Sequence, residues 1–303
     1  MLLDEHGPDV REVTVILNEG AGGGGNVQRG DRIYNSFEEA GWTAHISIAN
    51  RSAAPDQLAR EAVAQGVRIL VAAGGDGTVS AVASAVAGSR AVLGVLPMGT
   101  LNHFAKDMHI PLGLEAAIST ITRGKTIICD VGEVNGRIFV NNSSLGLYPS
   151  MVFERDLQRR TGRSKWTAMF WASITVLRRF RSVRVRLKLN GETGVRKSPF
   201  VFVGNNEYEI RGLNVGTRSC LNSGRLSLYI AQPASRARLI WLSLAVLFGR
   251  LRTEKDFEVF CLEELWIESR HKRFFVSLDG EIARLRTPLH YRVRAGALKV
   301  LVP

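Results

Sequence analysis

The sequence predicts two domains: an N-terminal doubly wound α/β domain over residues 1–128 and a mainly antiparallel β domain over 129–303. Three observations predict this. Up to Gly124, short β-branched runs alternate with helical stretches, the pattern of a parallel sheet with crossover helices. From residue 126 the pattern changes to strands separated by tight turns such as Asn135-Gly136 and Asn190-Gly191. The chain has 303 residues, of which 45% are hydrophobic and 22% charged, enough for two packed cores.

Val13–Leu17 reads as the first strand. It runs into Asn18, Glu19, Gly20 and Ala21, then Gly22 to Gly25, which is either a phosphate-contacting loop or a flexible one. Val27–Ala40 reads as a helix with Ile33 and Phe37 on one face. Thr43–Ile48 is a second strand, and Pro55–Ala64 a helix with Leu58, Ala62 and Val63 inward. Val67–Ala73 is apolar, β-branched and too short for a helix, so it is a buried strand. Gly74, Gly75, Asp76, Gly77 and Thr78 follow, and then a small-residue helix from Val79 to Val86. Glycine lets the backbone turn sharply and approach a ligand. The amides at the start of a helix suit a phosphate, and Asp76 adds a carboxylate able to hold Mg²⁺ on it. An ordinary Gly-rich βα turn fits the local pattern equally well.

Ala91–Leu96 is the next strand. It ends in Pro97-Met98-Gly99-Thr100-Leu101-Asn102, a further polar turn before a helix. Three strand ends with such turns fall at one edge of the sheet, where doubly wound folds bind ligands. Residues 112–123 read as a helix that stops at Gly124. Thr126–Val134 and Arg137–Asn141 form a hairpin. Val183–Leu189 alternates apolar and basic residues, a strand with one buried face. Phe200–Val203 continues that sheet, and further strands are expected at 225–230, 257–261, 265–269, 273–278, 290–294 and 297–302.

Net charge is +12 and unevenly spread: residues 1–150 hold 11 Lys/Arg against 15 Asp/Glu, and residues 151–303 hold 29 against 13. The basic half points to a polyanionic surface. Residues 155–197 hold 13 Lys/Arg and only Asp156 and Glu192 as acids. Two apolar stretches, Trp166–Leu177 and Leu239–Phe248, have arginine-rich flanks. They are shorter than the roughly 20 residues a bilayer span needs. They read either as core helices or as a membrane-surface patch with Arg against anionic headgroups. No nucleic-acid-binding motif accompanies the charge. The cysteines Cys129, Cys220 and Cys261 have neither metal-type nor disulfide-framework spacing, which suits a reducing compartment. The first residues lack an apolar signal-peptide core, so a cytoplasmic location is expected.

Gly74-Gly-Asp-Gly-Thr78, Pro97-Met-Gly-Thr-Leu-Asn102 and Leu278-Asp-Gly-Glu281 together resemble the diacylglycerol kinase and sphingosine kinase catalytic family, the bacterial soluble lipid kinases in particular. The resemblance runs from Asn18 to the end of the chain. The first of these motifs is shared with NAD kinases and phosphofructokinases; the other two favour the lipid branch. The resemblance implies an ATP- and Mg²⁺-dependent lipid kinase whose nucleotide lies in the cleft between domains. It implies ATP contacts from Asn18, Gly20, Gly22, Gly74, Gly75, Gly77, Thr78, Gly99, Thr100, Asn102 and Glu281. Asp279 is then the catalytic base and Asp76 the catalytic metal ligand. In that family the last strand can return to the first domain.

Five positions depart from the family pattern. Ser80 and Ala81 stand where Asn and Glu are usual, His103 where Asp is common, Ser223 where an Asp-Gly pair is usual, and Glu19 where the first loop has Pro. Asp279-Gly280 also suits a plain hairpin turn. Two alternatives follow: a kinase of the NAD-kinase type, and a nucleotide- or lipid-binding protein without turnover. The partners expected are a lipid substrate and an anionic membrane surface contacted peripherally, without nucleic acid; a homo-oligomer is compatible with the sequence.

Overall fold

In the computed structural model the described residues are 11–20, 26–50, 52–146, 183–189, 192–198, 200–211, 214–218, 220–231, 257–269 and 272–303. Gly22 and both arginine-flanked apolar stretches lie outside them. The chain divides into two compact units, Met1–Ile128 with Ala297–Pro303, and Cys129–Gly296.

The first unit alternates strand and helix: β1 (Glu12–Asn18), α1 (Asn26–Glu39), β2 (Thr43–Ala49), α2 (Pro55–Ala64), β3 (Ile69–Gly74), α3 (Asp76–Val86), β4 (Val92–Pro97), then α4 (His103–Asp107) and α5 (Leu114–Arg123). The strands lie in the order β2-β1-β3-β4, all parallel. Val15, Ile16, Leu17 and Leu70–Ala73 are fully buried, as expected for central parallel strands covered on both faces. Helix α1 packs with α5, and α2 with α3. Ile33 and Phe37 of α1 are fully buried. In α2 the inward stripe is Ala59 and Ala62, while Leu58 and Val63 are half-buried; positions three apart share a helix face. Gly124 ends α5 because a Cβ there would strike the carbonyl oxygens of Thr120 and Val302.

The second unit is antiparallel. It contains, from Cys129 on, β5 (Lys125–Val134), then β6 (Arg137–Phe139), β7 (Asn142–Gly146), β8 (Val183–Leu189), β9 (Glu192–Ser198), β10 (Phe200–Asn205), β11 (Tyr208–Arg211), β12 (Asn214–Arg218), β13 (Leu226–Ala231), β14 (Phe257–Leu262), β15 (Glu264–Glu268), β16 (Arg273–Leu278), β17 (Glu281–Arg286) and, up to Gly296, β18 (Leu289–Val302). One sheet runs β14-β13-β10-β7-β16-β17. A second antiparallel set pairs β9 with β8, β8 with β15, and β15 with residues 289–292 of β18. Between them lies one core, with Leu145, Val203, Leu228 and Val276 from the first sheet and Leu187, Leu265, Ile267 and Tyr291 from the second. The hairpin turns at Asn135-Gly136 and Asp279-Gly280 both have positive φ, the two-residue geometry that matches strand twist.

Strand β18 is continuous where the sequence suggested two strands. Gly296 takes φ +62, and its amide donates to Asp130 Oδ1 at 2.9 Å, so the backbone passes the glycine without breaking. Its end, Ala297–Pro303, belongs to the first unit, where Val300 lies opposite Leu93 in parallel. Among the described residues no helix is long and apolar enough to cross a membrane.

Candidate active site

In the first unit the chain goes from β1 outward to β2, then returns to place β3 on the other side of β1. The carboxyl ends of β1 and β3 therefore flank a topological switch point, the usual ligand crevice of such sheets. Asn18 ends β1 and Gly74 ends β3. Asn18 Nδ2 donates to Thr78 Oγ1 at 2.8 Å across this point, and its Oδ1 accepts the Gly20 amide at 3.0 Å.

The glycines here are required by contact. A Cβ on Gly74 would come within 2.6 Å of the Thr78 Cβ. One on Gly99 would stand 2.6 Å from the Cα of Gly75 and 2.8 Å from Asn102 Oδ1. The two motif turns are thus packed backbone on backbone, and the Met98 amide donates to the Gly74 carbonyl at 2.9 Å. Asn102 has φ +51. Its side chain closes the second turn, accepting the Gly99 amide and donating to the Gly99 carbonyl, each at 2.9 Å. Asn tolerates this left-handed backbone better than most residues.

Helix α3 starts at Asp76, earlier than the sequence suggested, because Gly75 alone makes the extended turn. Gly77 and Thr78 therefore sit in the first helical turn, and no side chain caps it. Uncapped amides at a helix start attract anions. Asp76 Oδ1 accepts the Phe104 amide at 3.3 Å, tying α3 to α4. Thr78 and Asn102 are buried, while Thr100, Leu101 and His103 are exposed. The structure thus brings Asn18, Gly20, Gly74, Gly75, Asp76, Gly77, Thr78, Gly99, Thr100 and Asn102 to one sheet edge. Among the described residues no three His, Cys, Asp or Glu side chains form a metal cluster. A lone carboxylate such as Asp76 still fits Mg²⁺, which usually takes one or two carboxylates and draws its other ligands from phosphates and water.

Asp279 and Glu281 lie in the second unit, at the β16–β17 hairpin, where Leu278 is paired with Glu281. Glu281 is exposed. Asp279 has φ +47 and its carboxylate turns back onto the segment leading into β7. Oδ2 accepts the Val140 amide at 2.8 Å, and Oδ1 accepts the Asn141 and Asn142 amides at 2.8 and 2.9 Å. The Asp279 amide in turn donates to the Asn142 carbonyl at 2.8 Å. The hairpin and the fixed carboxylate are one feature: the turn aims the side chain, and three amides hold it.

Ser223 is engaged structurally. Its amide and hydroxyl donate to Asn206 Oδ1 at 2.8 and 2.6 Å, and the Gly224 amide donates to Asp130 Oδ2 at 2.7 Å. Burial pushes the Cys129 thiol up to about 12 and raises the Tyr291 phenol, whose hydroxyl pairs with Ser143. Both stay protonated at neutral pH and offer no base. The amides of residues 140–142 belong to the site yet escaped the sequence reading. A backbone donor carries no residue signature, and these lie 137 to 139 positions before Asp279.

Residues 12–134 match the family described as diacylglycerol kinase catalytic domain, and residues 153–302 the YegS C-terminal NAD kinase beta sandwich-like domain. The chain is 26% identical over 222 residues to a diacylglycerol kinase of Bacillus subtilis (strain 168), covering 72% of this chain and 73% of that one. It is 25% identical over 205 residues to the diacylglycerol kinase of Staphylococcus carnosus (strain TM300), covering 67% of each. The fold matches a crystal structure of a diacylglycerol kinase from Bacillus anthracis str. Sterne, with TM-score 0.69, 19% identity and 98% coverage of both chains. A further Bacillus anthracis structure matches with TM-score 0.73 at 21% identity, over 98% of this chain and 99% of that one.

Proposed function

We propose that this chain, whose residues 12–134 match the diacylglycerol kinase catalytic domain and whose residues 153–302 match the YegS C-terminal domain, is a lipid kinase that transfers the γ-phosphoryl group of ATP to a lipid hydroxyl. The observation that carries the nucleotide part is the uncapped start of α3, held by the glycine contact between the Gly74–Thr78 and Gly99–Asn102 turns. In this reading the α3 amides bind phosphate oxygens, Asn18 and Gly20 line one side and Thr100 the other. Gly22 and Glu281 complete the proposed nucleotide contacts. Asp76 holds Mg²⁺ together with the phosphates. When bound, Mg²⁺ supplies charge neutralisation on the β- and γ-phosphate oxygens.

Asp279 is the proposed base. It takes the proton of the lipid hydroxyl as that oxygen bonds to phosphorus, while the bond from phosphorus to the β–γ bridging oxygen breaks and ADP leaves. A carboxylate fixed by three amides is a well-placed acceptor. Phosphoryl transfer through a loose transition state depends mainly on position and charge stabilisation. The basic half of the chain supports work at an anionic membrane, at its cytoplasmic face, as a peripheral protein.

Incubation of the protein with ATP, Mg²⁺ and mixed micelles tests this. Separate micelles carry diacylglycerol, a sphingoid base or a glycerophospholipid. Phosphorylation of one lipid is expected. ATP binding by calorimetry with no transfer to any of them would favour a binding protein instead, and NADP formation would favour the soluble-substrate branch.

A further inference from the structure

The amide cradle beneath Asp279 has a second side. The peptide group joining Val140 to Asn141 donates its N–H to Asp279 Oδ1. Its carbonyl oxygen accepts Arg218 Nη1 at 2.7 Å and Asn205 Nδ2 at 3.0 Å. The next peptide group donates the Asn142 N–H to the same Asp279 oxygen. Its carbonyl accepts the Asn205 amide at 2.9 Å and the Tyr208 hydroxyl at 2.8 Å. Arg218 Nη2 also donates to the Asn141 side-chain Oδ1 at 2.9 Å. A donor on a peptide carbonyl polarises that amide and strengthens the bond its N–H makes. A charged donor does so more than a neutral one.

Arg218 is 7% exposed. It ends β12, opposite Tyr208 on β11, with its guanidinium 5.6 Å from the centre of the Tyr208 ring. Burying a guanidinium is costly unless it is well bonded. Both backbone carbonyls already have neutral donors in Asn205 and Tyr208, so simple hydrogen-bond satisfaction does not require a cation there. What the cation adds is a fixed positive charge behind the peptide groups whose amides hold a carboxylate.

We infer that Arg218 is a positioning residue for Asp279, acting through the peptide groups of residues 140–142. The inference rests on the reading of Asp279 as the base. Lysine keeps the charge but loses the fork that spans the Val140 carbonyl and the Asn141 side chain. Arg218→Lys should therefore lower kcat by about tenfold, and Arg218→Ala by about a hundredfold, the scale of a small misplacement at a reacting group. KM for ATP should stay within about twofold in both, because the cradle lies on the acceptor side of the proposed reaction.

A double-mutant cycle tests this in the full chain. Asp279→Asn, Arg218→Lys and the double variant are compared for lipid phosphorylation, with thermal melting as a check on folding. The expected result is that Arg218→Lys has no further effect once Asp279 is Asn, because Arg218 acts through that carboxylate. Additive losses, or an unchanged kcat in folded Arg218→Lys, overturn the inference. Should Arg218→Ala not fold, the lysine variant decides alone. Full activity of Asp279→Asn is a different failure, that of the base assignment itself. An independent readout is the amide proton shift of Asn141, which should move upfield in Arg218→Lys as the bond to Asp279 weakens. An unmoved Asn141 shift would also count against the inference.

Discussion

The glycine turns of the first unit and the Asp279 hairpin of the second hold their groups in different ways. In the first, the backbone itself is the proposed binding surface. A Cβ on either Gly75 or Gly99 would meet the other's Cα, and the side chains that help, Asn18 and Asn102, mostly pin turns in shape. In the second, a side chain is the proposed functional group, and backbone amides from a distant segment hold it. The first arrangement leaves no room for an added atom on Gly74 or Gly99. The second tolerates shape changes better but depends on charge and donors.

The comparison makes graded predictions. Asp279→Asn should have the largest effect, a loss of about a thousandfold in lipid phosphorylation, within the range for removal of a general base. ATP affinity measured by calorimetry should be unchanged; a variant that turns over normally would remove Asp279 from the chemistry. Gly99→Ala comes next. Its Cβ meets the Gly75 backbone, so the turns must separate, at a cost of about 2 kcal/mol by the standard of overpacked sites. Here ATP binding should weaken and the melting temperature fall, the reverse of the pattern for Asp279→Asn.

Asn102→Ala should be milder. It removes the paired bonds to Gly99 and leaves a residue with a Cβ at positive φ, for a loss of about 1–2 kcal/mol in stability. Replacement by Gly should recover part of that, since glycine accepts the backbone angle. The smallest signal is chemical. With its thiol pushed up to about 12 by burial, Cys129 is ionised to only about one part in ten thousand at pH 8. An alkylating reagent should label Cys129 last among the three cysteines. Early labelling would mean that the second unit opens readily around Asp130.

Much of the fold was legible because periodicity is local. The run Val67–Ala73 and the polar turn after it announce a strand and a ligand-facing turn, and the Asn135-Gly136 pair announces a hairpin. Strand β17 was not predicted: EIARLR is short and alternates with arginines, and pairing with β16 is what makes it a strand. Helix α3 begins at Asp76, three residues before the Val79 start its sequence suggests, since Gly77 and Thr78 are poor helix formers and Gly75 alone is extended.

By itself the sequence determined the two architectures, the three motifs and the kind of chemistry they suit, because each depends on residues adjacent in the chain. Tertiary structure alone decided what holds them. It set Gly75 against Gly99, joined Asn18 to Thr78, and placed Arg218 behind the amides that grip Asp279. Those partners are between 24 and 139 positions apart, and several are backbone groups common to every residue type. No spacing rule encodes such contacts; they exist only once the strands have paired and their ends are brought together.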